Sequence, residues 1–130
     1  MKVLDNLFYT KDHEWLKIEG ELGYVGIADY AQNQLGSIVF VELPEEDDEF
    51  DAGEAFGAIE SVKAATDIFM PLGGTVVECN YDLEDEPELI NEDCYKNWII
   101  KVEISDESEK DDLMNAEEYK EYLETLAEEE

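Results

Sequence analysis

Lys63 stands near the centre of a near-symmetric segment, ten residues after Gly53 and eleven before Gly74. Two apolar runs, Ala55 to Ile59 and Ile68 to Met70, flank a short centre from Glu60 to Asp67. If those runs pair as a hairpin, Lys63 falls at or beside its tip, with its ε-amine extending from the body and open to enzymatic acylation. Ala64 and Ala65 are small and keep bulk away from that amine. An amide on Lys63 removes the positive charge, so a long apolar group can rest on the protein surface without burying an ammonium. Spacing alone leaves the alternative of an ordinary solubilising lysine open.

Other side chains with chemical potential do not form a constellation. Cys79 and Cys94 are separated by fourteen intervening residues with no histidine nearby, a spacing that fits neither a zinc site nor a thioredoxin-like pair. Two free thiols are expected. His13, the one histidine, lies between Asp12 and Glu14, and no metal site is expected around it. The chain has no Gly-x-Ser-x-Gly, P-loop or Gly-x-Gly-x-x-Gly motif, so no self-contained catalytic site is legible.

The charge narrows the classes further. Eight lysines, with no arginine, face 37 acidic residues, a net charge of −29. Nucleic-acid binding requires a basic face to neutralise phosphates, and an anionic membrane surface would repel this chain. An acidic body of this kind repels its own copies, giving a monomer as the expected state, and is steered towards basic partners. No apolar run reaches the length of a membrane span, and Met1 to Asp5 lacks a signal-peptide core. The cytoplasm is the expected location, or the mitochondrial matrix for a mature eukaryotic chain.

The elements that must position Lys63 read as short strands. Residues 1–130 are expected to form one domain, with a core of modest size. Leu16 and Ile18 alternate with Lys17 and Glu19 before Gly20, and Leu22 to Ile27 makes a second run. Asp29 to Leu35 has room for two helical turns, which Gly36 stops. Ser37 to Leu43 is almost wholly apolar and predicts a strand buried on both faces. Trp98, Ile100, Val102 and Ile104 define an apolar face opposite a mixed one. Many short strands at this spacing point to a mainly β sandwich or barrel. Towards the end, Ser105 to Asp112 predicts a short helical turn. A C-terminal amphipathic helix is expected at about 115–127, opened by an Asn115/Glu118 capping box. Its stripe of Tyr119, Tyr122, Leu123 and Leu126 is expected to pack on the strands. Glu128 to Glu130 should fray, since acids at a helix C-terminus oppose its dipole.

Several blocks, in order, resemble one family. Glu60-Ser61-Val62-Lys63-Ala64-Ala65-Thr66-Asp67 resembles the lipoylation sequence of glycine cleavage H-proteins. Tyr9 to Trp15, Val25 to Gln32, Leu35 to Pro44 and Glu86 to Asn91 are also similar to that family, so the likeness covers nearly the whole chain. Biotin carriers set their lysine between methionines, whereas Val62 and Ala64 flank it here. Lipoyl domains of the 2-oxoacid dehydrogenases place an Asp before the lysine and lack the Tyr9–Trp15 block. One segment departs from the family pattern: Cys94-Tyr95-Lys96-Asn97-Trp98 is a residue shorter and lacks its glycines, so a different loop path is expected there.

The resemblance implies a lipoyl/biotinyl-type barrel-sandwich hybrid of short antiparallel strands with short helices. It also implies a non-catalytic carrier with lipoate joined to Lys63 as an amide. Such a carrier takes an aminomethyl unit from glycine decarboxylase (P-protein), presents it to the aminomethyltransferase (T-protein), and is reoxidised by dihydrolipoyl dehydrogenase (L-protein). Glu14 and Asp67 are candidates to hold the protonated amine of that unit, and Glu60 is a candidate for recognition by the lipoate-attaching enzyme. His13 and Trp15 are expected to serve packing. Two alternatives stay open: donation of lipoyl groups to other enzymes, and an unmodified lipoyl-domain-like binding module.

Overall fold

The computed structural model describes residues 1–129, with side chains through Ala127. Alternating apolar and polar residues form nine short strands among them: β1 (Phe8–Tyr9), β2 (Glu14–Glu19), β3 (Leu22–Ile27), β4 (Ile38–Glu42), β5 (Glu49–Phe50), β6 (Ala55–Ser61), β7 (Ala65–Phe69), β8 (Gly74–Cys79) and β9 (Ile100–Ile104). The helices are α1 (Asp29–Leu35), α2 (Asp82–Asp85), α3 (Leu89–Glu92) and α4 (Ala116–Glu129), with a 3-10 turn at Glu107–Asp112. That turn falls inside the stretch where the sequence predicts a short helical piece.

A six-stranded sheet runs β1-β2-β3-β9-β8-β5, and a three-stranded sheet runs β4-β6-β7. Every strand pairing is antiparallel. One core joins the two sheets. Leu16, Val25, Val76, Ile100 and Val102 come from the larger sheet, and Ile38, Val41, Ile59 and Ile68 from the smaller. This is the mainly β barrel-sandwich hybrid that the patterning and the resemblance call for.

Strand β4 corrects one expectation. Its apolar run is not buried on both faces, because β4 is the edge of a three-stranded sheet. Ile38 and Val41 reach the core, while Val39 and Phe40 remain 55% and 50% exposed. The pairing with β6 also shifts register between Ile38 and Phe40. A bulge of this kind bends an edge strand and turns consecutive side chains outward.

The C-terminal helix begins as the sequence predicts and ends slightly later, at Glu129. Asn115 Oδ1 accepts from Glu118 N at 2.8 Å, and Asn115 N donates to Glu118 Oε1 at 3.0 Å, completing the capping box. Tyr119 is fully buried and stacks on Tyr9 with ring centroids 4.3 Å apart. Tyr122 and Leu123 pack beside it, in a second cluster with Leu7, Trp15 and Ala28. The expected fraying concerns Glu128 to Glu130; the helix continues through Glu129, and Glu130 lies outside the described residues.

The residues assigned to packing take that role. Trp15 is 2% exposed, and its indole donates to Cys94 O at 3.1 Å. His13 Nδ1 lies 2.8 Å from the Tyr119 hydroxyl, with the Tyr30 ring 4.4 Å away. The segment lacking glycines has its path set by side-chain bonds. The Asn97 amide donates to Leu89 O and Asp93 O, and the Tyr95 hydroxyl donates to Lys2 O at 2.6 Å.

Candidate functional site

Strands β6 and β7 make the expected hairpin, with Ala58 opposite Asp67, Ile59 opposite Thr66 and Glu60 opposite Ala65. They run closer to the tip than their apolar runs alone suggest, so that Val62, Lys63 and Ala64 are all that remain between them. The Ser61–Ala64 hydrogen bond narrows these three residues to a two-residue loop, Val62–Lys63, and such loops usually adopt turns with a left-handed residue. Neither Val62 nor Lys63 is left-handed here. Ser61 accounts for the difference. Its backbone N–H donates to Ala64 O at 2.7 Å, and its hydroxyl oxygen accepts from Ala64 N at 3.1 Å and from Lys63 N at 3.3 Å. The hydroxyl thus stands in for the carbonyl that a primed turn would offer to Ala64 N.

Lys63 is exposed, as are Val62, Ala64 and Ala65 around it. The ion pairs of the described residues are Lys17–Glu19, Lys101–Glu78, Lys110–Glu107 and Lys120–Asp5, so Lys63 enters none of them. The tip is docked on the body from one side: Val62 N donates to Ser37 O at 3.0 Å. The stem of Lys63 lies across Gly36, the residue that stops α1. An accessible amine with small neighbours, on a tip of fixed path, fits a lysine that an enzyme must reach and acylate. A lipoyl amide suits these surroundings.

The three candidate carboxylates sit in different surroundings. Glu60 is exposed on β6, paired between Phe40 and Ala65, three residues before Lys63. Asp67 is exposed on β7 and lines an open cleft of about 430 Å³ with Glu42, Pro44, Phe50 and Phe56. Glu14 lies at the start of β2 and, at 2% exposure, is the buried charged residue among those described. Its carboxylate accepts from the Thr10 hydroxyl at 2.6 Å and from Phe69 N at 3.4 Å. Burial pushes the Glu14 carboxyl up to about 7, against the pull of the Thr10 and Phe69 hydrogen bonds. Glu14 and Asp67 are therefore both tied to β7, but they make no hydrogen bond to each other, and Glu14 does not line the Asp67 cleft.

Sequence reasoning missed the parts that hold the tip. Ser61 was legible in principle, since a serine two or three residues before a backbone N–H can cap a turn. The use of Gly36 and Ser37 as a seat for the hairpin had no sequence signal, because the pairing of β4 with β6 creates it. Cys79 and Cys94 are free and buried. Burial raises both thiols, Cys94 to about 12, so neither is a nucleophile near neutral pH.

Comparison with known proteins agrees with this geometry. The family model described as Glycine cleavage H-protein matches residues 7–126. A glycine cleavage system H protein of Clostridium botulinum (strain Loch Maree / Type A3) is 56% identical over 126 residues, 97% of each chain. One from Thermoanaerobacter sp. (strain X514) is 52% identical over 123 residues, covering 95% of this chain and 98% of its own. Among solved structures, the crystal structure of a glycine cleavage system H protein from Mycobacterium marinum superposes with a TM-score of 0.83 at 34% identity, over 96% of this chain and 99% of that one.

Proposed function

The chain belongs to the glycine cleavage H-protein family, whose members are non-catalytic lipoyl carriers, and from that premise we propose that Lys63 is the lipoyl attachment site. The observation that carries this reading is the exposed Lys63, outside every ion pair of the described residues, on a tip fixed by Ser61 and Ser37. Acylation joins Lys63 Nζ to the lipoyl carboxyl carbon as an amide, with loss of the activating group and one amine proton. Lipoate supplies a redox-active disulfide, the chemistry by which the aminomethyl unit of glycine passes from the P-protein to the T-protein before the L-protein restores the oxidised form. This chain contributes reach, a fixed point of departure and a surface for its partners, and tethering raises the local concentration of the carried unit at each partner site.

Within this reading Glu14 and Asp67 hold the amine of the carried unit. Glu14 is suited to the task as a buried carboxyl whose pKa burial raises to about 7 and which an approaching ammonium would draw back down. Asp67 offers an exposed carboxylate nearer the tip. Glu60, three residues before Lys63, faces whichever enzyme attaches the lipoate. Glu14→Gln combined with Asp67→Asn should speed release of the aminomethyl group in the absence of T-protein, and an unchanged rate sinks this assignment.

The test of the attachment site is the intact mass of the protein from cells that lipoylate other proteins, with peptide mapping across Glu60 to Asp67. A lipoyl amide on Lys63, absent from Lys63→Arg, is the expected result. An unmodified lysine would favour the unmodified binding module. Among the described residues no helix is long and apolar enough to cross a membrane.

A further inference from the structure

The Glu86–Asn91 block resembles the family, yet nothing in the carrier chemistry uses it. Its last residue, Asn91 on α3, reaches the turn on which the hairpin tip is docked. The side-chain amide donates to Gly36 O at 2.8 Å and to Gln32 Oε1 at 2.9 Å, and its oxygen accepts from Ile38 N at 2.9 Å. The orientation of the amide is unambiguous, because a carbonyl at Gly36 demands a donor and an N–H at Ile38 demands an acceptor. Asn91 therefore brackets Ser37 from both sides. Ser37 O is the acceptor for Val62 N, and Gly36 is the residue crossed by the Lys63 stem. The two contacts that dock the tip on the body both fall on the turn that one amide fixes.

Asn91 is itself held firmly. Leu89 and Ile90 anchor α3 in the core, Ile90 at 1% exposure. The Gln32 amide that Asn91 contacts is engaged in turn, donating to Asp29 Oδ1 at 2.8 Å. A chain of hydrogen bonds thus runs from α1 through Asn91 to the turn before β4. Loss of Asn91 leaves Gly36 O and Ile38 N without their partner and frees the turn to move, and the hairpin tip with it.

We propose that Asn91 is a positioning residue for the acylation of Lys63, acting through the Gly36–Ile38 turn to hold the tip in the orientation that the lipoate-attaching enzyme meets. The inference rests on Lys63 being the attachment site. Enzymatic acyl transfer requires an oriented amine, and displacement of a reacting group lowers its rate steeply. Reaction of Lys63 with a small soluble acylating ester requires only exposure.

The test compares wild type, Asn91→Ala and Asn97→Ala as full-length chains. Asn97 is the control, since it also donates two hydrogen bonds at α3, to Leu89 O at its start and Asp93 O just past its end, but hydrogen-bonds neither Gly36 nor Ile38. Three quantities are measured: kcat/KM for lipoate attachment to Lys63, the rate of Lys63 acylation by a soluble N-hydroxysuccinimide ester read by peptide mapping, and hydrogen exchange of the Val62 amide. Asn91→Ala should lower enzymatic attachment on the order of ten-fold, accelerate Val62 exchange, and leave ester acylation unchanged; Asn97→Ala should leave all three near wild type. Equal slowing in the two variants, or wild-type attachment in Asn91→Ala, overturns the inference while the attachment site stands. Wild type left unmodified at Lys63 overturns the attachment site and the inference together. Asn91→Asp serves the same comparison if the alanine variant does not fold, because it keeps the acceptor for Ile38 N and loses both donors.

Discussion

The stem of Lys63 crosses Gly36 so closely that a β-carbon on Gly36 would stand 2.8 Å from Lys63 Cε. Gly36 also has φ 76° and ψ −148°, a conformation close to the region that only glycine occupies comfortably. Gly36→Ala should therefore cost about 1–3 kcal/mol of stability from backbone strain and should also displace the lysine stem. Chemical denaturation measures the first effect. The rate of lipoate attachment, taken well below the unfolding transition, measures the second. A variant as stable as wild type would show that the turn relaxes without strain.

Glu14 makes stability depend on pH in a direction opposite to most carboxylates. Its folded-state pKa is raised from 4.5 to about 7, so the folded protein binds a proton more tightly than the unfolded chain. Its contribution is fully present below about pH 4.5, falls as pH rises towards 7, and is lost above it. Glu14→Gln keeps an acceptor for the Thr10 hydroxyl without a charge to bury. Relative to wild type, the variant should gain up to about 3 kcal/mol between pH 4.5 and pH 8. His13 acts in the other sense, since burial lowers its pKa and its contribution is lost as pH falls, but both proteins share that term. Parallel denaturation curves across this pH range would show that Glu14 is not buried as described.

The short strands, the stop at Gly36, the capping box of α4 and the hairpin around Lys63 were legible because each depends on local patterning. Strand β4 was misread because burial on two faces and exposure at a sheet edge produce the same apolar run; only the strand order separates them. The site divides in the same way. Lys63 stood out by its spacing and by the resemblance. The burial of Glu14 depends on β7 covering β2, and the seat of the tip depends on α3 reaching back across 53 residues to Ile38. Contacts at that separation leave no periodic trace in the sequence.

Ser61 replaces a backbone acceptor with a hydroxyl at the hairpin tip, and that exchange can be tested alone. Ser61→Ala removes the acceptor for Lys63 N and Ala64 N but leaves the bond from Ser61 N to Ala64 O. All the groups concerned are exposed, so water takes over much of the loss and stability should fall by only about 0.5 kcal/mol. Exchange of the Lys63 and Ala64 amides should rise several-fold while exchange in the centre of β6 stays constant. Unchanged exchange at both amides would mean that the strands alone shape the tip.

Helix α4 is fixed through Tyr119 to the body that carries Glu14. Tyr119 does this in two ways: its ring stacks on Tyr9 with the planes 4° apart, and its hydroxyl lies 2.8 Å from His13 Nδ1. His13 is left-handed, with φ 70°, and directly precedes Glu14, so the hydroxyl contact steadies the turn that delivers the buried carboxylate. Tyr119→Phe keeps the stack and removes the hydrogen bond, which should cost about 1 kcal/mol. Tyr119→Ala removes both and leaves a cavity, which should cost roughly 3–5 kcal/mol by analogy with other aromatic deletions. The difference between the two variants separates packing from the hydrogen bond. The His13 ring resonances, followed by NMR against pH, report on the contact itself. In wild type His13 titrates below its ordinary value because burial disfavours the imidazolium. Phe at position 119 should change the Nδ1 environment while the ring stays packed against Tyr30, so a His13 titration and chemical shifts identical to wild type would show that the Tyr119 hydroxyl contributes nothing to holding this turn.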